Sequence, residues 1–359
     1  MRIGLLIYGS LNSQSGGYLY DRKLVEHLLE QGDQVEIISL TPGSYARNLA
    51  DNFSKSLVEC LKSLHLDILL QDELNHPSLF LLNSRLRNQV DFPIVSIVHH
   101  LRCSEGFPTW QNLFYTWIEK KYLSSVDGFV FNSRATRQKV ESITGKTTRP
   151  ALVAFPAGDR LRPAISDVQI RQRAFQPGPL RIIFVGNLIP RKNLPTLIQA
   201  LSQLSDCSWS LSVVGRPDIA PKYTHQIQHL VEQNKIVDQV KFHGSIPDRK
   251  LVDHLFESHV LVIPSTYEGY GIAYLEGMGF GLPAIGTTAG GAGEIIEHGK
   301  NGYLIQPHDT THLSAYLRRL VENRSLLAEM GIAARLRYSR HPTWEKTMGR
   351  IRRFLHTLS

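Results

Sequence analysis

Three cysteines in 359 residues, Cys60, Cys103 and Cys207, are too few and too scattered for a disulfide framework or a zinc spacing. They point instead to a reducing compartment. No apolar run approaches the ~20 residues of a membrane span, and Ile3–Tyr8 is shorter than the core of a secretory leader. The cytoplasm is therefore the expected location. Acid is scarce at the far end of the chain, where residues 335–359 carry seven Lys and Arg against Glu345 alone. That imbalance fits a solvated helix face or, more sharply, a peripheral contact with an anionic membrane through the basic C-terminus. Nucleic acid is disfavoured, because no recognition motif or aromatic–basic interleaving accompanies the charge.

Several motifs are incomplete in ways that exclude chemistry. Gly145-Lys146-Thr147 imitates the end of a P-loop, but Val140 stands where the first glycine is required. Gly269-x-Gly271 is followed by Tyr274 where a dinucleotide fingerprint needs Gly or Ala. His225 and His229 have metalloprotease spacing, yet Gln226 replaces the glutamate, which leaves two surface histidines.

What is present is an α/β pattern. Arg2–Tyr8 reads as a buried strand, Tyr18–Gln31 as an amphipathic helix and Val35–Ile38 as a second strand, a unit that argues for a parallel sheet. Further strands are expected at Asp67–Leu70, Pro93–Val98, Leu180–Val185, Leu211–Gly215, Val240–Gly244 and Val260–Ile263. The polar, proline-bounded stretch 165–179 reads as a linker. Two domains are therefore expected, over 1–164 and 178–342, with a last helix over 343–359 returning to the first.

The centre of the chain is Pro264–Glu294. Glu268 falls in a glycine-rich turn after a buried strand, and Glu276 sits a turn inside the helix expected from Ile272 to Met278. Gly269 and Gly271 allow close backbone approach, and free amides at a helix start suit a phosphate. Two carboxylates beside an anion site fit sugar hydroxyls next to a diphosphate, hence a nucleotide-sugar. Glu268, Glu276, Gly281-Leu-Pro283, Gly290-Gly291 and Glu294, in this order, resemble family 4 of the retaining glycosyltransferases.

That resemblance covers nearly the whole chain and implies the GT-B fold, two Rossmann-like domains facing across a cleft. It implies His99, at the end of the fourth strand, as a group reaching the transferred sugar, with His100 where Asp is commoner. The loop Gly186-Asn187-Leu-Ile-Pro-Arg191-Lys192-Asn193 resembles the family's G-R-L-x-x-x-K-G, whose Arg and Lys grip the donor diphosphate. Lys192 matches; Asn187 replaces the Arg, and Arg191 is the conjectured substitute. His99, Lys192 and Glu268 are thus the expected catalytic residues. Gly16, Gly17, Gly186, Asn187, Arg191, Gly215, Gly269, Tyr270, Gly271, Ile272 and Glu276 are the expected donor-binding ones, with Glu276 on the ribose.

No Asp-x-Asp occurs, so no metal or other cofactor is expected, and Lys192 with helix amides would stand in for the metal. The implied partners are a nucleotide-sugar donor (UDP- or GDP-linked) and a saccharide or lipid-linked acceptor. A saccharide comes first, because no amphipathic basic helix stands out near the acceptor side. No Asp or Glu is expected at a strand end of the first domain as an inverting base. Core packing and a lid over the acceptor both fit the aromatics Phe107, Trp110, Phe114, Tyr115 and Trp117, and core packing is the reading adopted. A GT-B sugar-nucleotide epimerase and a non-catalytic nucleotide-sugar-binding protein are the alternatives.

Overall fold

The computed structural model describes residues 1–146 and 148–359; Thr147, the last residue of the P-loop imitation, lies outside the described residues. The chain divides into two compact units, one formed by Met1–Pro156 with Trp344–Ser359 and the other by Ala157–Thr343.

The first unit holds a six-stranded parallel sheet of β1 (Arg2–Tyr8), β2 (Gln34–Leu40), β3 (Ile68–Asp72), β4 (Ile94–Val98), β5 (Gly128–Phe131) and β6 (Ala151–Val153). Their spatial order is β2-β1-β3-β4-β5-β6. β3, β4 and β5 are buried along their whole length, as expected for central strands covered on both faces. The helix Gly16–Glu30 starts where Ser15 accepts from the Tyr18 amide at 3.3 Å. Ser133 caps Arg134–Thr144 in the same way. The helix Trp344–Leu355 joins this unit through Trp344, edge-on to Tyr20 at 5.8 Å, and through Arg352 Nε, 2.6 Å from Asp33 Oδ2.

The second unit holds β7 (Leu180–Val185), β8 (Trp209–Val214), β9 (Val240–Gly244), β10 (Val260–Val262), β11 (Ala284–Thr287) and β12 (Gly302–Ile305), again all parallel. The order β12-β11-β10-β7-β8-β9 is the doubly wound arrangement, reversing between β7 and β10. Open sheets of this kind bind ligands outside the strand carboxyl ends at the reversal. In the first unit the corresponding point lies between β1 and β3.

One expected loop is not one. Within 165–179, Asp167–Phe175 is a helix with a complete capping box between Ser166 and Gln169. Its apolar contribution is small, Ile170 and Ala174, so polarity masked the period; Arg173, also buried, is held by the carbonyls of Phe256, Phe280 and Gly281.

Candidate active site

The loops after β7 and β10 meet at the reversal point of the second sheet. Lys192 closes the first loop and its Nζ pairs with Glu268 Oε1 from the second. Ser265 Oγ donates to the same oxygen at 2.6 Å, while Arg191 Nη1 lies 3.6 Å from Oε2 and donates to the Tyr267 carbonyl at 2.9 Å. Burial alone would raise the Glu268 carboxyl, but Lys192 and Arg191 outweigh it and hold it down at about 2. Burial also lowers Lys192, against the pull of Glu268. The conjectured substitute cation is thus at the site: Arg191 stands with Lys192 around one carboxylate.

Glycines make this meeting of loops feasible. A Cβ on Gly290 would lie 1.9 Å from the Glu268 carbonyl oxygen, and its φ of +87° is in the region that favours glycine. Glu268 and Gly290 form a bridge, and the Gly291 amide donates to the Glu268 carbonyl at 2.8 Å. A Cβ on Gly291 would meet the Gly269 carbonyl oxygen at 2.4 Å, and one on Gly215 would meet that of Gly186 at 1.9 Å. Gly186 itself lies against the Lys192 stem. The buried Tyr270 reaches His341 Nε2 at 3.4 Å.

Gly271, at φ +100°, starts the helix Ile272–Gly279, and no side chain caps that end. The Ile272 amide is among those left for an anion. Glu276 is buried one turn in, and its Oε1 accepts from Arg160 Nε at 2.8 Å. Burial raises its carboxyl, and Arg160 counteracts this. Arg160 also pairs with Asp248. Sequence reasoning placed 1–164 in the first domain and missed this arginine. The nearby Gly158 packs closely on that helix, where a Cβ would lie 2.8 Å from Leu275 Cβ.

In the first unit, His99 follows β4 and its Nε2 lies 3.0 Å from Asp21 Oδ1. Burial works against the imidazolium, but Asp21, Asp72 and Glu73 raise its pKa nonetheless. Gly17 packs against this ring, where a Cβ would be 3.2 Å from His99 Cδ2; Gly16 opens the helix beside it. His100 Nε2 meets Glu105 Oε1 at 3.0 Å.

The absence of an acid at a strand end in this unit does not hold. β3 ends on Asp72, buried, and burial together with the nearby Asp21 pushes its pKa up to about 7. The strand runs two residues beyond the expected Leu70, which placed the acid outside it. Glu73, His76 and Glu119 form a second buried group, with Glu119 also raised to about 7 by burial and then by Glu73. Each triad, Asp21–Asp72–His99 and Glu73–His76–Glu119, brings three ligand atoms within 4.8 Å of one another. Three of the four ring nitrogens are already engaged, however: His99 Nε2 with Asp21, His76 Nδ1 with the Glu73 carbonyl at 3.0 Å, and His76 Nε2 with Tyr45 Oη at 3.1 Å. Shared protons are the simpler occupants. Asp21 was legible as an anomaly, since it lies on the buried stripe with Leu24 and Leu28.

The core packing expected of the aromatics before β5 is not what the structure shows. Trp110, Phe114 and Trp117 are exposed, and only Phe107 and Tyr115 are half-buried. Packing at that helix is supplied instead by Ile118, Tyr122 and Leu123. His225 and His229 are exposed, as expected. Among the described residues no helix is long and apolar enough to cross a membrane.

Residues 166–337 match the family described as glycosyl transferases group 1. The chain is 30% identical over 184 residues to a D-inositol 3-phosphate glycosyltransferase of Streptomyces avermitilis, covering 49% of this chain and 40% of that protein. Across such curated relatives the chain spans about half of their length, 40%, 48% and 53% in three cases. Among solved structures, a sucrose-phosphate synthase from Thermosynechococcus elongatus superposes with a TM-score of 0.84 at 22% identity, over 100% of both chains. Anabaena HepE, solved in complex with UDP and glucose, superposes with a TM-score of 0.76 at 20% identity, over 99% of both. Their shared fold class is GT-B.

Proposed function

We propose that this chain, whose residues 166–337 match the glycosyl transferases of group 1, moves a sugar from an α-linked nucleotide-sugar to a hydroxyl of a saccharide or glycolipid, with retention and without a metal at the diphosphate. The observation that carries this reading is the Lys192–Glu268 pair with Arg191 beside it, at the reversal point of a doubly wound sheet. Two cations there match a diphosphate, and the uncapped helix start at Gly271-Ile272 adds backbone donors.

The roles follow from chemistry. Lys192 and the helix amides stabilise charge as the sugar–phosphate bond breaks. Glu268 holds hydroxyls of the donor sugar once Lys192 turns to phosphate, and Glu276 holds the ribose. A departing phosphate oxygen takes the acceptor proton while the new bond forms on the same face. His99, whose pKa Asp21 raises against burial, faces the transferred sugar with its other nitrogen. Retention rests on the family resemblance, since Asp72 is an acid of suitable pKa at a strand end.

A panel of UDP-, GDP- and ADP-sugars in a thermal-shift assay identifies the donor. NMR of the product's anomeric centre then tests the mechanism. An α-glycoside is expected; a β-glycoside would overturn retention and make Asp72 the candidate base. Isomerised donor without transfer would identify an epimerase, and binding without turnover a non-catalytic protein.

A further inference from the structure

The helix Thr109–Leu123 is turned inside out. Its one acid, Glu119, is fully buried, with its carboxylate accepting from the amides of Arg102 at 2.6 Å and Cys103 at 3.3 Å. Its bulkiest apolar side chains point outward: Trp110 is 70% exposed, Leu113 67%, Trp117 52% and Phe114 42%. These four recur at i, i+3, i+4 and i+7, a single stripe. At ~100° per residue, Lys120 and Lys121 continue the same stripe, and both are exposed. No acidic side chain lies on this face. The stripe extends beyond the helix, because Trp117 stands edge-on to Phe80 at 6.0 Å and the adjoining Leu81 is exposed.

Scattered exposed apolar residues need no account, but a contiguous ridge of two tryptophans, a phenylalanine and a leucine does. We infer that this ridge is a docking surface for an anionic lipid membrane, with the indoles and Phe114 at the boundary of headgroups and acyl chains and Lys120 and Lys121 on lipid phosphates. Charge decides the occupant. Cations without acids on the same face match the negative cytoplasmic leaflet. Tryptophan is suited to the boundary because its ring is apolar while its N–H still needs a polar partner, which headgroups supply and an apolar protein patch does not. An interfacial helix is defined by this combination of apolar stripe and lysines.

The membrane contact therefore moves from the C-terminal tail to this helix. In the tail, Arg352 is tied to Asp33, Arg350 to the Val153 carbonyl and Arg337 to the Glu294 carbonyl. The inference does not depend on the transfer reaction.

The test is co-sedimentation of the purified full chain with phosphatidylcholine vesicles, with and without phosphatidylglycerol, alongside tryptophan emission. Binding and a blue shift are expected only with phosphatidylglycerol, and both should weaken with salt. The double variant Trp110→Ser/Trp117→Ser should bind on the order of tenfold more weakly or worse. Lys120→Gln and Lys121→Gln should each cost about fivefold, whereas Arg335→Gln in the tail should change nothing. Circular dichroism and melting confirm that each variant is folded. No binding to anionic vesicles, or undiminished binding of the double variant, would overturn the inference. A dimer in light scattering that the double variant dissociates would also overturn it, in favour of a second copy as occupant.

Discussion

Lys192→Ala removes one half of a buried ion pair, and its consequences can be worked out in both stability and rate. Glu268 is 6% exposed and titrates at about 2 instead of 4.5. At ~1.4 kcal/mol per pH unit, that depression corresponds to roughly 3 kcal/mol of stability. The folded value lies below the unfolded one, so this stability is present above pH 4.5 and is lost as pH falls toward 2. Without Lys192, burial dominates and Glu268 titrates higher, with only Arg191 at 3.6 Å to oppose it. The variant should therefore be about 2–3 kcal/mol less stable at pH 7 in urea denaturation, and the gap to the parent should narrow as pH falls toward 4. Turnover should fall by about 10²-fold or more, because a cation aimed at developing phosphate charge is gone. Lys192→Met/Glu268→Gln should recover much of the stability, since removing both charges leaves neither unpaired, without recovering turnover. The reasoning fails if Lys192→Ala is as stable as the parent at pH 7, if the gap does not narrow in acid, or if turnover persists. Activity abolished by EDTA and restored by magnesium would likewise contradict the role given to Lys192.

Glu276→Ala should raise the donor KM about tenfold or more with a smaller change in kcat; unchanged donor affinity would remove Glu276 from the ribose. Gly290→Ala forces a Cβ to within 1.9 Å of the Glu268 carbonyl oxygen, so the melting temperature should drop by several degrees, for a cost of about 2 kcal/mol or more. An unchanged melting point would show that the two loops separate easily. Asp72 and Glu119 both titrate at about 7 when folded, above the unfolded values of 3.8 and 4.5. Their contribution is fully present below pH ~4 and is lost as pH rises through 7. Stability should accordingly be lower at pH 8 than at pH 5.5, and Asp72→Asn/Glu119→Gln should flatten that slope; a parent equally stable at both values would contradict the shifts.

The sheets were legible in the sequence because buried parallel strands are nearly unbroken apolar runs. β1, β7 and β9 fall on their expected ends, and the helix after Gly271 is one residue longer than expected. The loops after β7 and β10 were legible because close backbone approach demands glycine and leaves a spaced signature. The partners of that signature were less visible. Arg160 acts on Glu276 across more than a hundred residues, and no local pattern marks such a pair. Asp21, the adjacent pair Asp72 and Glu73, and Glu119 lie far apart in sequence and are gathered only when helix, strand and loop pack. The ridge on Thr109–Leu123 was misjudged for a different reason. Aromatic density states that a surface is apolar, while the direction it faces is decided by which neighbours the helix finds.

The second unit is one uninterrupted stretch, Ala157–Thr343, whereas the first is completed only by Trp344–Ser359. On a ribosome the order of assembly follows. After Pro156 is made, the 188 residues to Trp344 (344 − 156) must still be added, which takes roughly 10–40 s at ~5–20 residues per second. During that interval Tyr20 lacks Trp344, and the carbonyl of Phe155 lacks the Thr347 hydroxyl that bonds it at 2.9 Å. The second unit can close on itself while the first waits with an uncovered flank. A pause or a premature stop late in the message would therefore release a chain whose second unit is whole and whose first is left to chaperones.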